Sequence, residues 1–464
     1  MNMDKTMTRS YTRWEWRTIL LLMLGYALYY FVRKNLSVAI PAMEAQLGLT
    51  KVQLGIFLTI HGIIYGLSRF VNGIIVDRTS QKKIMALGLL LSALVNLLIC
   101  FSPKLDGLLH LLDTEGKATL TLTYLIGSLW VLNGYLQGMG VPPCISLLAH
   151  WIKPSELATK QSIWNASHSL GAGLVVVICG FLLRHFGYEA WHLCFLVPAL
   201  IALLGVPVIF LGIKDSPTEL GFPPVEEMDK AGRGQEAGSG RGKVHLSGSQ
   251  YKRVVRKMVY ANPYLWILAL TNFCIYVMRG TVLDWGSSFL TQFKGLEIAK
   301  AASVIGICEL VGGILGMLVA GWATDKVFGG KGHRTCFIAT VLAVLCFLGF
   351  WKSSSTGLSL ALLVGTSFFI YGPQALLGMC VSQQVTRYAT GTGNGIMGVF
   401  GYASTAISGI LFGRIADVSG WDTVFLYTII FGLAAAVIIA LMWKAPADAY
   451  DKVEKLIAQE GTQE

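Results

Sequence analysis

The chain has 464 residues, of which 54% are hydrophobic and 14% are charged, and its formal net charge is +11. Soluble domains carry about 25% charged residues, so this composition argues against an ordinary soluble enzyme. An apolar run of about 20 residues crosses a bilayer as a helix, in which the backbone polar groups bond to each other. We number the twelve predicted helices in chain order: 17–41, 53–76, 84–102, 120–149, 161–184, 191–213, 264–290, 300–323, 335–351, 357–385, 391–413 and 422–443.

The basic residues are concentrated on one side of these helices. If both termini lie inside, the tails and inner loops hold 25 of the 37 Lys and Arg residues, and the outer loops hold 8. Basic residues accumulate on the cytoplasmic side of membrane proteins, so both termini are predicted to be cytoplasmic. The positive charge is therefore interpreted as a determinant of membrane orientation and not as a nucleic-acid-binding surface.

A long polar stretch, residues 214–260, separates helices 6 and 7. Its central part, KAGRGQEAGSGRGKVHLSGS, is rich in Gly and Ser and is typical of a flexible linker. The YKRVVRK run that follows is either an amphipathic helix on an anionic membrane surface or a solvated positive face. The sequence predicts an N-terminal six-helix half over 1–213, a cytoplasmic linker over 214–260, and a C-terminal six-helix half over 261–464 with a short cytoplasmic tail.

One short motif occurs in both halves. GIIVDR ends in Asp77 and Arg78 after helix 2, and GWATDK ends in Asp325 and Lys326 after helix 8. Two parallel six-helix repeats with a central substrate site are typical of secondary transporters. The repeated Gly-x-x-x-Asp-Arg/Lys element resembles the signature of the major facilitator superfamily. We interpret these residues as gating residues whose charge pairs form and break during transport; ordinary charges of the inner loops are the alternative.

Two arginines lie within predicted membrane helices. In helix 1, Tyr26, Tyr30 and Arg33 share one helix face. Asn272, Tyr276 and Arg279 have the same spacing in helix 7. An arginine is costly inside a bilayer and normally faces a polar cavity. Its planar fork of donors stays protonated and suits an oxyanion such as phosphate. Pairing with a buried carboxylate is the structural alternative.

Several longer blocks identify a family. The blocks are GYALYYFVRKN (25–35), LQGMGVPPC (136–144), WNASHSLGAG (164–173), DSPTELGFPP (215–224), YVMRGTVLDWG (276–286) and YGPQALLG (371–378). Along nearly the whole chain, apart from the linker and tails, the sequence resembles the organophosphate:phosphate antiporter family, which includes glycerol-3-phosphate and hexose-6-phosphate transporters. The resemblance implies an all-α membrane protein with the major facilitator fold, twelve transmembrane helices in two six-helix halves.

The resemblance also implies a substrate site. Arg33 and Arg279 match the arginines that bind phosphate in the family, and His168 matches a histidine that would add a proton-tunable donor. On its own, a membrane histidine is more often a hydrogen-bonding group between helices. Packing between helices is the alternative for the aromatic residues. The other implied pathway residues are Tyr26, Tyr30, Trp164, Asn165, Tyr276, Tyr371 and Tyr402.

Further charged residues in membrane helices are assigned to gating by the same resemblance. Lys34 lies about 100° around helix 1 from Arg33, so the two side chains cannot face one ligand equally. We expect Lys34 to pair with Asp284 or Glu309 across the two halves. Arg69 on helix 2 either guides anions or extends to the membrane surface.

Details within the family point to the hexose-phosphate branch, including its sensor member. Gln374 after YGP and the NPYLW segment (262–266) resemble that branch. The hexose-phosphate transporter, however, carries an Asp and a Lys three residues apart in helix 11, where this chain has Asn394 and Met397. In this respect the chain is closer to the sensor and to glycerol-phosphate members.

The resemblance therefore predicts exchange of a sugar phosphate, with hexose 6-phosphate preferred, for inorganic phosphate by alternating access at the cell (inner) membrane. A sensor that binds hexose phosphate and signals to a membrane kinase partner is the first alternative. A proton-coupled carrier for another anion or a drug is the second. An enzyme is the least supported class, because no nucleophile–base pair, metal-ligand spacing or phosphate-binding loop emerges. No cofactor is expected, and the nine cysteines are interpreted as small apolar packing residues.

Overall fold

The computed structural model describes residues 5–49, 51–105, 112, 116–232, 248–386 and 388–446. Nearly all of them are helical, and the one β-bridge among them joins Leu112 and Ala118. Within these ranges, eleven helices are long and apolar enough to cross a membrane. The remaining predicted helix, helix 4, is also present but is divided in two. The all-α fold class is thus confirmed, and the helices are consistent with twelve membrane crossings.

The first six helices keep the predicted order. Their bounds are Lys5–Leu47 for helix 1, Lys51–Val76 for helix 2, Gln81–Phe101 for helix 3, Leu120–Gln137 and Val141–Trp151 for helix 4, Leu157–Asn165 and Ser167–Phe186 for helix 5, and Leu193–Gly212 for helix 6.

The last six helices follow the linker. Their bounds are Pro263–Asp284 for helix 7, Ile298–Ile307, Cys308–Gly316 and Met317–Lys326 for helix 8, Gly332–Lys352 for helix 9, Thr356–Val385 for helix 10, Thr390–Thr405, Ala406–Leu411 and Phe412–Ser419 for helix 11, and Trp421–Ala440 for helix 12. The middle segments of helices 8 and 11 have the wider π-helical winding. Shorter helices cover Val225–Gly232, Gly248–Val254, its π-helical continuation Val255–Tyr260, and Gly286–Gln292.

The break in helix 4 follows from its sequence. Residues 138–140 (Gly-Met-Gly) form a turn, and Pro142 and Pro143 lie in the first turn of the segment that follows. Proline is tolerated there because the first N–H groups of a helix have no intrahelical partner. A Cβ at Gly138 would overlap the Ser68 hydroxyl of helix 2, so only glycine permits this approach of the two helices.

By their internal packing, the residues form two compact units. The N unit comprises Thr12–Cys144 and Ser167–Asp215, and the C unit comprises the described parts of Met1–Tyr11, Ile145–Ala166 and Ser216–Glu464. The start of helix 1 and the segment from late helix 4 to early helix 5 therefore pack with the C-terminal helices. The predicted division at the linker remains a prediction about the two halves.

A close helix contact organises the N unit around helix 1. A Cβ added at Gly171 of helix 5 would lie 2.5 Å from the carbonyl oxygen of Ala27 and 2.7 Å from its Cα atom. Only glycine leaves room for this backbone-to-backbone approach. The contact lies one turn from His168 and one turn from Tyr30, so it brings these two side chains together.

Candidate functional site

Arg33 lies half-buried on helix 1 among tyrosine rings of the N unit. Its Cζ atom is 3.9 Å from the ring centre of Tyr65 and 5.4 Å from that of Tyr30. Tyr26 packs edge-on against Tyr30, with ring centres 5.4 Å apart. Aromatic faces attract a guanidinium, so these rings stabilise the Arg33 side chain inside the unit. The structure thus brings together three of the predicted site residues.

Tyr65, which the sequence analysis did not select, completes this cluster from helix 2. It is almost fully buried, and the Cζ atom of Arg69 is 5.9 Å from its ring centre. Tyr65 therefore lies beside two guanidiniums, those of Arg33 and Arg69. Its position four residues before Arg69, on the same helix face, is the sequence signal that could have found it.

His168 joins the same cluster from helix 5. The side chain is buried, and its ring centre is 5.7 Å from that of Tyr30. Its Nε2 atom is 3.3 Å from the Ser169 hydroxyl oxygen. The close approach at Gly171 sets this position. The N unit thus combines two arginines (Arg33 and Arg69), one histidine and three tyrosines from helices 1, 2 and 5.

Arg279 has a matching environment in the C unit. Its Cζ atom is 5.6 Å from the ring centre of Tyr371 on helix 10 and 5.9 Å from that of Tyr276 on helix 7. Tyr402 of helix 11 lies near Tyr276, with ring centres 6.4 Å apart. The Nε atom of Arg279 is buried and has no hydrogen-bond partner among the described residues. The structure brings these four predicted residues together in one unit.

The early part of helix 5 extends this C-unit cluster. The Asn165 Nδ2 atom lies 3.0 Å from the sulfur of Met317, and Met317 packs in one apolar cluster with Tyr371. Trp164, the neighbour of Asn165, is buried in the same unit. Asn165 is therefore connected through Met317 to a tyrosine that contacts Arg279.

The three charged residues predicted to form a gate are all exposed within their own units. Lys34 lies in the N unit, and Asp284 and Glu309 lie in the C unit. The pairing of Lys34 with one of the two carboxylates stays a prediction. Glu309 lies at the start of the π-helical segment of helix 8, a kind of irregularity that is frequent at functional sites.

The second copy of the repeated motif makes a defined contact. The Asp325 Oδ2 atom accepts a hydrogen bond of 2.8 Å from the backbone N–H of Thr159, in the first turn of helix 5. A carboxylate is favoured there by the helix dipole and the unbonded N–H groups. A Cβ at Gly321 would lie 2.6 Å from the Ser162 Oγ atom, so the motif's glycine permits the contact. Lys326 is exposed beside it.

The first copy of the motif lies near a carboxylate that the sequence analysis did not select. Asp77 is half-buried and Arg78 is exposed at the end of helix 2. Asp215 accepts hydrogen bonds from the Ser80 hydroxyl at 2.5 Å and from the Lys82 backbone N–H at 2.9 Å. Asp215 therefore caps the start of helix 3. Its position as the first residue of the DSPTELGFPP block is the sequence feature that could have identified it.

These two clusters suit anion binding. Each provides at least one arginine, whose parallel donors match a phosphate, and tyrosine hydroxyls that can donate to further oxygens. Among the described residues, no group of three His, Cys, Asp or Glu side chains is placed to hold a metal ion.

Comparisons with known proteins agree with this architecture. The family model of the Major Facilitator Superfamily matches residues 22–408. The chain is 31% identical over 450 residues to a "Probable hexose phosphate transport protein" of Chlamydia pneumoniae, covering 95% of this chain and 94% of that protein. It is 30% identical over 450 residues to the "Membrane sensor protein UhpC" of Salmonella typhimurium, covering 95% of each.

A solved structure shares the fold at low sequence identity. The proton:xylose symporter XylE, described as a major facilitator superfamily protein bound to 6-bromo-6-deoxy-D-glucose, superposes with a TM-score of 0.68 at 14% identity, covering 96% of this chain and 99% of that one. With the family match and the helices, this makes the chain a multi-pass integral membrane protein. It belongs to the major facilitator superfamily and, within it, to the organophosphate:phosphate antiporter family.

Proposed function

We propose that this protein exchanges a sugar phosphate, with hexose 6-phosphate the preferred substrate, for inorganic phosphate by alternating access. The observation that carries the proposal is that a membrane-helix arginine lies among tyrosine rings in each unit. Arg33 has Tyr30 and Tyr65, and Arg279 has Tyr276 and Tyr371. The relationship to a hexose phosphate transport protein supports the choice of substrate class.

The charge of the arginines accounts for obligate exchange. Both the sugar phosphate and inorganic phosphate present the same oxyanion, so either one can neutralise Arg33 and Arg279. Without a ligand, two positive charges in a membrane interior oppose closure around them. Inorganic phosphate leaving in one direction would therefore be replaced by sugar phosphate moving in the other.

Gating is assigned to the loop carboxylates and to the charged residues beside the arginines. The Asp325 carboxylate bonds the first turn of helix 5 at Thr159, a contact that can form and break as the conformation changes. Asp77, Arg78 and Lys326 would act with it, and Lys34 would pair with Asp284 or Glu309. The excess of basic residues in the predicted inner loops supports an orientation with both termini cytoplasmic. The proposed location is the cell (inner) membrane.

Exchange in liposomes tests the proposal. Phosphate-loaded proteoliposomes that contain only this protein should take up radiolabelled glucose 6-phosphate. Proteoliposomes loaded with a buffer that contains no phosphate should take up much less glucose 6-phosphate. Equal uptake with and without internal phosphate would refute obligate exchange.

A sensor is the second candidate. Helix 11 carries the amide of Asn394, whose Nδ2 atom donates to the Thr390 and Gly378 carbonyls, and the apolar side chain of Met397. Both residues are buried, and neither carries a charge. The similarity to a membrane sensor protein supports the same alternative. A sensor should bind glucose 6-phosphate in detergent but catalyse no exchange in the liposomes.

A further inference from the structure

Helix 1 is bent at Val32, the residue directly before Arg33. Val32 has φ −95° and ψ 15°, which is not helical, although the helix continues on both sides. A kink has a local cause, such as a proline, a π-bulge or a side chain that bonds into the backbone ladder. Pro41 is the proline inside helix 1, and a proline disrupts the carbonyl four residues before it, well beyond Val32. The bend therefore needs a different cause.

Two side chains from neighbouring helices bond to the backbone at this bend. The Val32 carbonyl oxygen accepts a hydrogen bond of 2.8 Å from the Asn133 Nδ2 atom of helix 4 and one of 3.1 Å from the Asn96 Nδ2 atom of helix 3. Val32 and both asparagines have no exposed surface, each at 0%. The amides therefore supply partners for a buried carbonyl at the point where the regular helix is interrupted.

The turn after the bend is fixed as well. The Asn35 Nδ2 atom donates to the Asn96 Oδ1 atom at 2.8 Å and to the Cys194 carbonyl of helix 6 at 3.0 Å. Arg33 thus lies between the Val32 carbonyl and the Asn35 side chain, which hydrogen bonds join to helices 3, 4 and 6. All of these residues belong to the N unit.

Burying three amides in an apolar interior costs free energy unless they are bonded, so a group of them at one bend calls for a role. The direction of a helical side chain depends on the backbone beneath it, and a binding group must be held within about 0.5 Å of its productive position. We infer that Asn96 and Asn133 are positioning residues, which hold the bend at Val32 and thereby direct the Arg33 guanidinium to its place beside Tyr65. This inference rests on the proposed function, in which Arg33 binds the phosphate.

A double-mutant cycle on the full-length protein in detergent tests the inference, with radiolabelled inorganic phosphate as the ligand. Asn133→Leu and Asn96→Leu should each weaken phosphate binding about fivefold, since coupled neighbours interact by amounts of this order. Each variant leaves the other amide on the Val32 carbonyl, so helix 1 keeps a partner. If a leucine variant aggregates, the alanine variant at the same position enters the cycle.

The cycle separates positioning from a general structural effect. In an Arg33→Lys background, the loss caused by Asn133→Leu should shrink to less than about twofold, because the group that it positions is already gone. In an Arg279→Lys background the loss should stay near fivefold. Asn72→Leu is the matched control, because among the described residues the Asn72 Nδ2 atom bonds to helix 2 itself, to Ser68 O at 3.0 Å and Ser68 Oγ at 2.8 Å. It should leave phosphate affinity unchanged.

Two results would overturn the inference while leaving the proposed function standing. One is normal phosphate affinity in both asparagine variants. The other is a fivefold loss that persists in the Arg33→Lys background, which would make the effect of the amides independent of Arg33. Normal phosphate binding by Arg33→Lys itself would instead refute the role of Arg33 in the proposed function, and the positioning role with it.

Discussion

The contact between Ala27 of helix 1 and Gly171 of helix 5 can be tested by a mutation that has a matched control on the same helix. Gly171→Ala places a Cβ 2.5 Å from the Ala27 carbonyl oxygen, whereas ordinary van der Waals contact begins at 3.4 Å. The nearest atoms belong to the Ala27 backbone, so no side-chain rotation relieves the overlap, and the helices must separate by roughly 1 Å, the shortfall from that ordinary contact distance. Gly173→Ala is the matched control on the same helix, because its Cβ would meet nothing within 4 Å.

The two variants share the gain in helix propensity and differ in the cost of overpacking. Alanine is favoured over glycine in a helix by about 0.8–1.0 kcal/mol, and this gain is common to both positions. Overpacking costs about 1–3 kcal/mol and applies to Gly171 alone. Gly171→Ala should therefore be less stable than Gly173→Ala by about 1–3 kcal/mol.

Thermal unfolding of the purified variants in detergent measures this difference. Gly171→Ala should unfold at a lower temperature than Gly173→Ala, and it should bind glucose 6-phosphate more weakly because His168 moves away from Tyr30. Equal unfolding temperatures and equal affinities for the two variants would refute the packing argument and the dependence of the His168 position on Gly171.

Three further predictions concern the charged residues. Arg279→Lys keeps the charge but loses the planar fork of donors. Affinity for inorganic phosphate and for glucose 6-phosphate should fall by about tenfold or more, as the loss of one charge-assisted hydrogen bond implies. Normal binding of inorganic phosphate would show that Arg279 has a structural role. Asp325→Asn weakens the hydrogen bond to the Thr159 N–H, so exchange in proteoliposomes should slow. Ligand affinity should stay within about threefold of the unchanged protein, which corresponds to roughly 0.7 kcal/mol. Loss of binding with a normal exchange rate would contradict a gating role. Lys34 and Asp284 lie on membrane helices, where a charge that loses its partner is costly. Asp284→Asn should therefore impair transport if Lys34 is its partner, and adding Lys34→Met should restore part of it; strictly additive effects would show that the two residues do not interact and would direct the same test to Glu309.

The choice of fold and family could be made from the sequence because both depend on local or repeated features. Apolar runs of membrane-spanning length specify helices in a bilayer, where the backbone has no other way to bond its polar groups. The repeated motif at Asp77 and Asp325 indicated the superfamily, which the family model confirmed. The longer blocks indicated the antiporter family, which the relatives confirmed. The neighbours of Arg33 and Arg279 on their own helices followed from helix periodicity, and the structure places Tyr30 and Tyr276 beside them.

Other features depended on which helices meet. Tyr65 and Asn133 come from helices 2 and 4, yet one contacts the Arg33 guanidinium and the other bonds the carbonyl that precedes it. Helix periodicity assigns a residue to a face but does not identify the helix that packs on that face. No proline or glycine at Val32 indicates the bend in the sequence. The residues that bond the Val32 carbonyl are side chains of other helices, which the sequence of helix 1 does not show. The sequence by itself thus determined that the protein lies in a bilayer, where its helices are, and which residue types can bind an anion. Tertiary packing decided which side chains surround each arginine and which hydrogen bonds hold the backbone beside Arg33.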